Sequence, residues 1–190
     1  MLAAQGGDPA SFGPLVEAYQ RPVYSLCFRM LGQAEEAEDA AQESFLRAFR
    51  SLRRYDPERP FGTWLLSIAA HHCIDRLRRR RGPLQPPDGE AELVERPDGA
   101  PGPEASLEAR QRREAVAALL QSLRAPDRAA LVLHYWHDLS YEEIAATLGM
   151  SLPAVKTRMH RARRALAQRW VEREGAAQRP RKAHDEPSVV

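Results

Sequence analysis

Between Gly82 and Gly102 the chain reads GPLQPPDGEAELVERPDGAPG, and no other stretch limits the possible folds so strongly. It is rich in Pro, Gly, Asp and Glu and nearly devoid of large apolar side chains. Such a segment buries too little to offset the entropy of ordering it. Any core must therefore come from the sequence on either side, which predicts two small domains and a tether. Both flanks carry helical periodicity, and neither shows the sustained alternation of a strand. The expected class is all-α: two small helical domains joined by a flexible acidic Pro/Gly-rich linker.

On the N-terminal side, Phe12, Leu15, Val16, Tyr19, Val23, Leu26, Cys27, Met30 and Leu31 keep a helical period until Gly32. A second helix is expected from Ala34 to Leu52 and a third from Phe61 into the arginine run Arg78–Arg81. On the C-terminal side the expected helices are Leu107–Leu123, Asp127–Trp136, Ser140–Leu148 and Ser151 to about Arg173. These give an N-terminal domain over 1–82, a linker over 83–105, a C-terminal domain over 106–173 and a polar tail over 174–190.

Net charge is only +2 over 190 residues, but the signs are segregated. Acids dominate before Leu46, bases from Arg47 to Arg81, acids in the linker and bases again from Lys156 to Arg173. Blocks of alternating sign suggest modules that face different partners, and they also suggest halves that pack together in the free chain and mask each other's charged surfaces. Cys27 and Cys73 sit alone in apolar patterns, which fits a reducing cytosol better than a disulfide framework or a metal site. Neither a membrane span nor a basic-then-apolar leader is apparent, so a cytoplasmic protein is expected. No cofactor or metal is expected; His72 and Cys73 lack further ligands, and His134 and His137 read as packing or surface residues. Trp64 shares a helical face with Ile68 and reads as core.

The segment LSYEEIAATLGM, Leu139 to Met150, opens with Ser140 and has Glu143 three residues on, the pattern of a capping box. Ile144, Ala145 and Leu148 face one way, and Gly149 supplies a left-handed residue for a tight turn. SLPAVKTRMHRARRAL follows. Val155, Met159, Ala162 and Leu166 form one stripe, Lys156, Thr157, His160, Arg161 and Arg164 the opposite face, with Arg158 and Arg163 at the flanks. A capped helix, a Gly turn and a basic amphipathic helix make a helix-turn-helix, whose second helix enters the DNA major groove. Lys156, Thr157, His160 and Arg161 lie where base edges come within reach; Arg163, Arg164 and Arg169 lie further along, towards phosphate. The bland alternative is a solvated cationic face.

In the helix expected from Ala34 to Leu52, a wheel buries Ala41, Phe45, Ala48, Phe49 and Leu52 and leaves Leu46 outside the stripe beside Asp39, Gln42 and Glu43. A nuclease using the acids from Glu35 to Glu43 is disfavoured, because metal-dependent nucleases draw carboxylates from different elements. A helix-turn-helix regulator that acts on duplex DNA by itself remains an alternative, although no sensory or phosphoacceptor domain is visible.

Four segments carry a resemblance to the extracytoplasmic-function (ECF) sigma factors of bacterial RNA polymerase. They are FGPLVEAY (12–19), AEDAAQESFLRA (37–48), FGTWLLSIA with IDRLRRR (61–69, 74–80), and LSYEEIA with VKTRMHRAR (139–145, 155–163). The resemblance implies that Asp39, Gln42, Glu43 and Leu46 dock on the clamp coiled coil of the largest subunit of core RNA polymerase, with further contact at its flap region. It implies that Tyr55 and His71 line a pocket for a flipped −10 base while Arg76, Arg78, Arg79 and Arg80 hold the backbone. The −35 element would be read by Lys156, Thr157, His160, Arg161 and Arg164. Promoter DNA and core polymerase are the implied partners, with an anti-sigma factor as a further one. The family often has Asn at the position of His71. Two promoter elements lie about one and a half turns apart, roughly 50 Å at ~34–36 Å per turn. A relaxed coil of ~25 residues spans about 25–30 Å and a fully extended one ~80 Å. The linker reaches only when stretched, and the resemblance places it in the polymerase's product-RNA channel.

Overall fold

The structure, a computed structural model, describes the backbone over 12–80 and 107–177, with side chains over 12–80 and 112–172. All described regular structure is helical. The elements are α1 (Gly13–Leu31), α2 (Ala34–Ser51) with a 3-10 turn over Leu52–Arg54, α3 (Phe61–Arg80), α4 (Leu107–Gln121), α5 (Ala125–His137), α6 (Tyr141–Leu148) and α7 (Leu152–Ala177). The expected linker over 83–105 lies outside the described residues. The helix α7 runs on past residue 174 to Ala177, and the rest of the expected tail also lies outside the described residues.

Each stop has a local cause. Gly32 takes φ +81°, and its N–H closes the last turn of α1 onto the Phe28 carbonyl at 2.8 Å. A side chain here is strained by the left-handed backbone, and its Cβ would also stand 2.8 Å from the Gln121 amide. Glu35 and Glu36 occupy the first turn of α2, where the helix dipole favours anions. Asp138 takes φ 53° after α5, and Gly149 takes φ 62° after α6.

The N-terminal half packs α1, α2 and α3 as a three-helix unit around Val23, Leu26, Cys27, Ala40, Ala48, Leu65, Ala69 and Cys73, all fully buried. In the C-terminal half, α5 is the central helix, with Ala129, Ala130, Val132 and Leu133 buried against Ile144, Val155 and Met159.

The two halves do not keep separate cores. A single apolar cluster runs from Met30 and Leu31 to Leu120, Leu123 and Leu131. α1 packs on α4 and α5, while α3 packs on α5 and α6. Two three- or four-helix units of this size leave apolar faces uncovered, and pairing those faces removes them from water. The contact is thus apolar and backbone-mediated, where the sequence suggested attraction between charge blocks. It also leaves the cationic face of α7 exposed, so the expected masking does not extend to that surface.

Candidate nucleic-acid interface

The turn before α7 forms as its residues dictate. Glu143 N–H donates to Ser140 Oγ at 3.1 Å, and Ser140 N–H donates to the Glu143 carboxylate at 2.8 Å, a complete capping box. Those bonds hold the Glu143 carboxyl below its ordinary pKa, with the Ser140 backbone N–H the larger influence. Val155, Met159 and Ala162 are buried and Leu166 half-buried, while Lys156, Thr157, His160, Arg161 and Arg164 all project to solvent. The Thr157 hydroxyl donates to the Pro153 carbonyl at 2.9 Å. Its methyl and its oxygen lone pairs remain for a base edge, suiting a thymine methyl or an amino donor.

The two flanks of α7 differ. Arg158 is drawn inward, its Nη1 2.8 Å from Oδ1 of buried Asp127 on α5, an ion pair that fixes α7 against the central helix. Arg163 stays exposed and donates from Nε to the Tyr135 hydroxyl at 3.2 Å. Neither partner was evident in the sequence, where each lies about thirty positions away.

At the other end of the molecule, Leu46 is 51% exposed on the outer face of α2, as the helical wheel requires. Asp39 and Gln42 are exposed beside it, and Glu43 accepts a hydrogen bond from Arg47 at 2.7 Å. The four residues form one continuous surface.

The basic end of α3 crosses this helix. Arg76 reaches Asp39 at 3.5 Å, Arg80 pairs with Glu36, and Arg78 pairs with Asp75 on its own helix at 3.2 Å. Arg79 is exposed. His71 is exposed, and its Nδ1 donates to the Ser67 carbonyl at 2.7 Å. Tyr55 departs from the expected pocket-lining place. It is only 5% exposed, its hydroxyl donates to the Arg59 carbonyl, and its ring packs against Phe61 and Trp64 at 5.5 and 4.8 Å. The phenol closes the 55–59 loop upon itself, and the aromatic trio takes in Trp64, half-buried as its face predicts. His72, buried behind α2, has its pKa lowered by burial first and then by Arg47, which disfavours the imidazolium.

The arrangement is an exposed cationic face on α7, and on α2 an acidic, Leu-bearing face tied by ion pairs to a second cationic helix, α3. The model of Sigma-70 region 2 matches residues 15–82, and that of Sigma-70 region 4 matches residues 113–166. The chain is 37% identical over 171 residues to the ECF RNA polymerase sigma factor SigW of Bacillus subtilis, covering 84% of this chain and 89% of SigW. It is 38% identical over 163 residues to the ECF sigma factor SigE of Mycolicibacterium smegmatis, covering 84% of this chain but 63% of that longer protein. The solved structure of CnrH in complex with the cytosolic domain of CnrY superposes with a TM-score of 0.65 at 28% identity, covering 90% of this chain and 94% of CnrH. The chain belongs to the ECF family of RNA polymerase sigma factors.

Proposed function

We propose that the exposed faces divide the work of promoter recognition. Lys156, Thr157, His160 and Arg161 read −35 base edges, with Arg164 on phosphate. His71, Arg76, Arg78, Arg79 and Arg80 engage the −10 element as single strand, and Tyr55 shapes the adjoining loop from inside. Asp39, Gln42, Glu43 and Leu46 dock on the clamp coiled coil of core polymerase. The working domains are 1–82 and 106–173. The chain itself performs no catalysis, which belongs to the polymerase it directs, and it acts in the cytoplasm. CnrH was solved bound to the cytosolic domain of CnrY; an anti-sigma factor is the inhibitory partner proposed here.

One observation carries this reading: α7 buries Val155, Met159 and Ala162 and presents Lys156, Thr157, His160, Arg161 and Arg164 together to solvent. The packing of α6 on α3 adds a condition. It holds the two halves of the protein in contact, whereas the promoter elements they would read stand roughly 50 Å apart. Both elements are engaged only after the halves separate, which the polymerase brings about.

Run-off transcription on a genomic library, with purified core polymerase and with or without this protein, tests the reading. Discrete new start sites that require both components support it. Footprints of equal strength and preference without core polymerase would instead favour an ordinary duplex-binding regulator.

A further inference from the structure

Arg163 is a cation that the fold holds in place at the surface. Besides donating Nε–H to the Tyr135 hydroxyl, its guanidinium lies 5.8 Å from the centre of the same ring. Tyr141 on α6 brings a second phenol to bear on it. Tyr135 is braced in turn. The His134 ring stands edge-on to Tyr135 and to Tyr141, with centroids 4.9 and 5.2 Å away, and its Nδ1 donates to the Leu139 carbonyl at 2.9 Å. Yet Tyr135 remains 53% exposed and Arg163 lies in solvent. An ordered aromatic–guanidinium pair has been built where an ordinary surface arginine would roam.

Its direction identifies what it serves. At 100° per residue, Arg163 stands about a quarter turn from the centre of the face formed by Lys156, Thr157, His160, Arg161 and Arg164. A helix with its side chains is about 10–12 Å across, and the major groove about 12 Å wide. When such a helix lies in the groove, one side meets the bases and its flanks meet the walls, which are sugar-phosphate backbone. Arg158, towards the opposite flank, is committed to Asp127.

We propose that Tyr135 is a DNA-contacting and positioning residue: it holds Arg163 against one wall of the −35 groove, and the two donate together to one backbone phosphate. This rests on the −35 reading of α7. The donors are compatible. Arg163 spends Nε–H on the phenolic oxygen, and beyond what Tyr141 engages, the Tyr135 O–H and remaining guanidinium hydrogens stand as donors. Because phosphate carries no base identity, the contact fixes how deeply and at what angle α7 enters the groove and leaves sequence preference alone.

The test uses holoenzyme reconstituted with core polymerase, bound to promoter DNA over a range of salt concentrations. Tyr135→Phe is expected to weaken binding about threefold, the loss of one preorganised donor pair, equally at every −35 sequence variant. Arg163→Gln is expected to cost more and to lower the slope of log K against log salt by ~0.9, as one phosphate contact does. The double variant should lose less than the product of the two single losses, because the pair acts on one phosphate. A single methylphosphonate in the −35 wall should erase the difference between wild type and Arg163→Gln. Independent, multiplying losses, or losses that depend on the −35 bases, overturn the proposal. So does wild-type binding by Arg163→Gln, whose exposed side chain can change without unfolding the chain. Arg161→Ala runs in parallel: if it too binds normally, the −35 reading itself has failed, and if it alone is impaired, only the Tyr135–Arg163 contact has.

Discussion

The side-chain amide of Gln121, at the end of α4, donates to the carbonyl of Arg29 in the last turn of α1, 3.2 Å away. The last carbonyls of a helix have no partner within it, and here the other half of the protein supplies one. Arg128 on α5 does the same for Met30, and it also bonds to Gln121 and Leu123 within its own half. Arg29 meanwhile lies over Trp136, 4.9 Å from the ring centre. Two helices of one half thus cap a helix of the other.

Arg128 is 2% exposed, so Arg128→Met strands several carbonyls in the interior at once. Unpaired buried acceptors of this kind make the expected destabilisation about 3 kcal/mol. Urea unfolding of the free chain measures it. A shift below about 0.5 kcal/mol would mean that water readily replaces the guanidinium, and that the contact between halves is loose.

The proposed docking face on α2 is open to a charge-reversal test. Leu46 is half-exposed, and the Asp39–Arg76 pair sits at the surface, where such pairs are worth about 0–1 kcal/mol. Leu46→Asp combined with Asp39→Arg should therefore leave the melting temperature nearly unchanged while abolishing co-purification with core polymerase. Retention of the double variant on core removes the docking assignment.

Arg161→Ala should weaken transcription from the cognate promoter and flatten the −35 preference at one position, since a good bidentate base contact discriminates by ~1–3 kcal/mol. The comparison is across −35 variants. A uniform loss reassigns Arg161 to phosphate.

Cys27 on α1 and Cys73 on α3 are both buried. The hydrogen bond between their side chains, and then burial, push the Cys73 thiol well above the ordinary thiol range. The thiolate is the reactive form, so an aromatic disulfide reagent at pH 8 should label neither residue faster than the chain opens. Labelling that outpaces unfolding, measured by stopped-flow fluorescence, would show the α1–α3 seam to be open.

Much of this was legible beforehand. The helices from Gly13 to Leu31 and from Leu152 onward follow from apolar spacing, and Gly32, Gly149 and Ser140 mark their boundaries through backbone conformation and capping. Leu46 was legible because a wheel leaves it outside the stripe. What stayed hidden depends on partners far along the chain. Arg128 in PDRAALVL has the look of a surface residue until the Met30 carbonyl, 98 positions away, is beside it. Tyr55 is buried because of one loop carbonyl, and Arg158 turns inward because of Asp127. A local period reports which way a residue faces, not what waits there.

His137 closes α5 next to this seam, and its pKa falls to about 4, first because burial penalises the cation and then because Arg29 repels it. Asp138 opposes the shift. An unfolded histidine titrates near 6.5, so above that pH the group is neutral in both states and costs nothing. As pH falls from about 6.5 towards 4, the unfolded chain takes up a proton that the folded chain refuses, and stability is lost. Allowing for solvent screening at a half-buried ring, the loss is about 1–2 kcal/mol. His72 is shifted the same way and adds to it. His137→Phe should therefore flatten the pH dependence of the urea midpoint between pH 7 and 4.5. Because Arg29 belongs to the other half, acid should also swell the wild-type chain in small-angle scattering before it unfolds. Identical pH profiles for wild type and His137→Phe would exclude the group as the source of either effect.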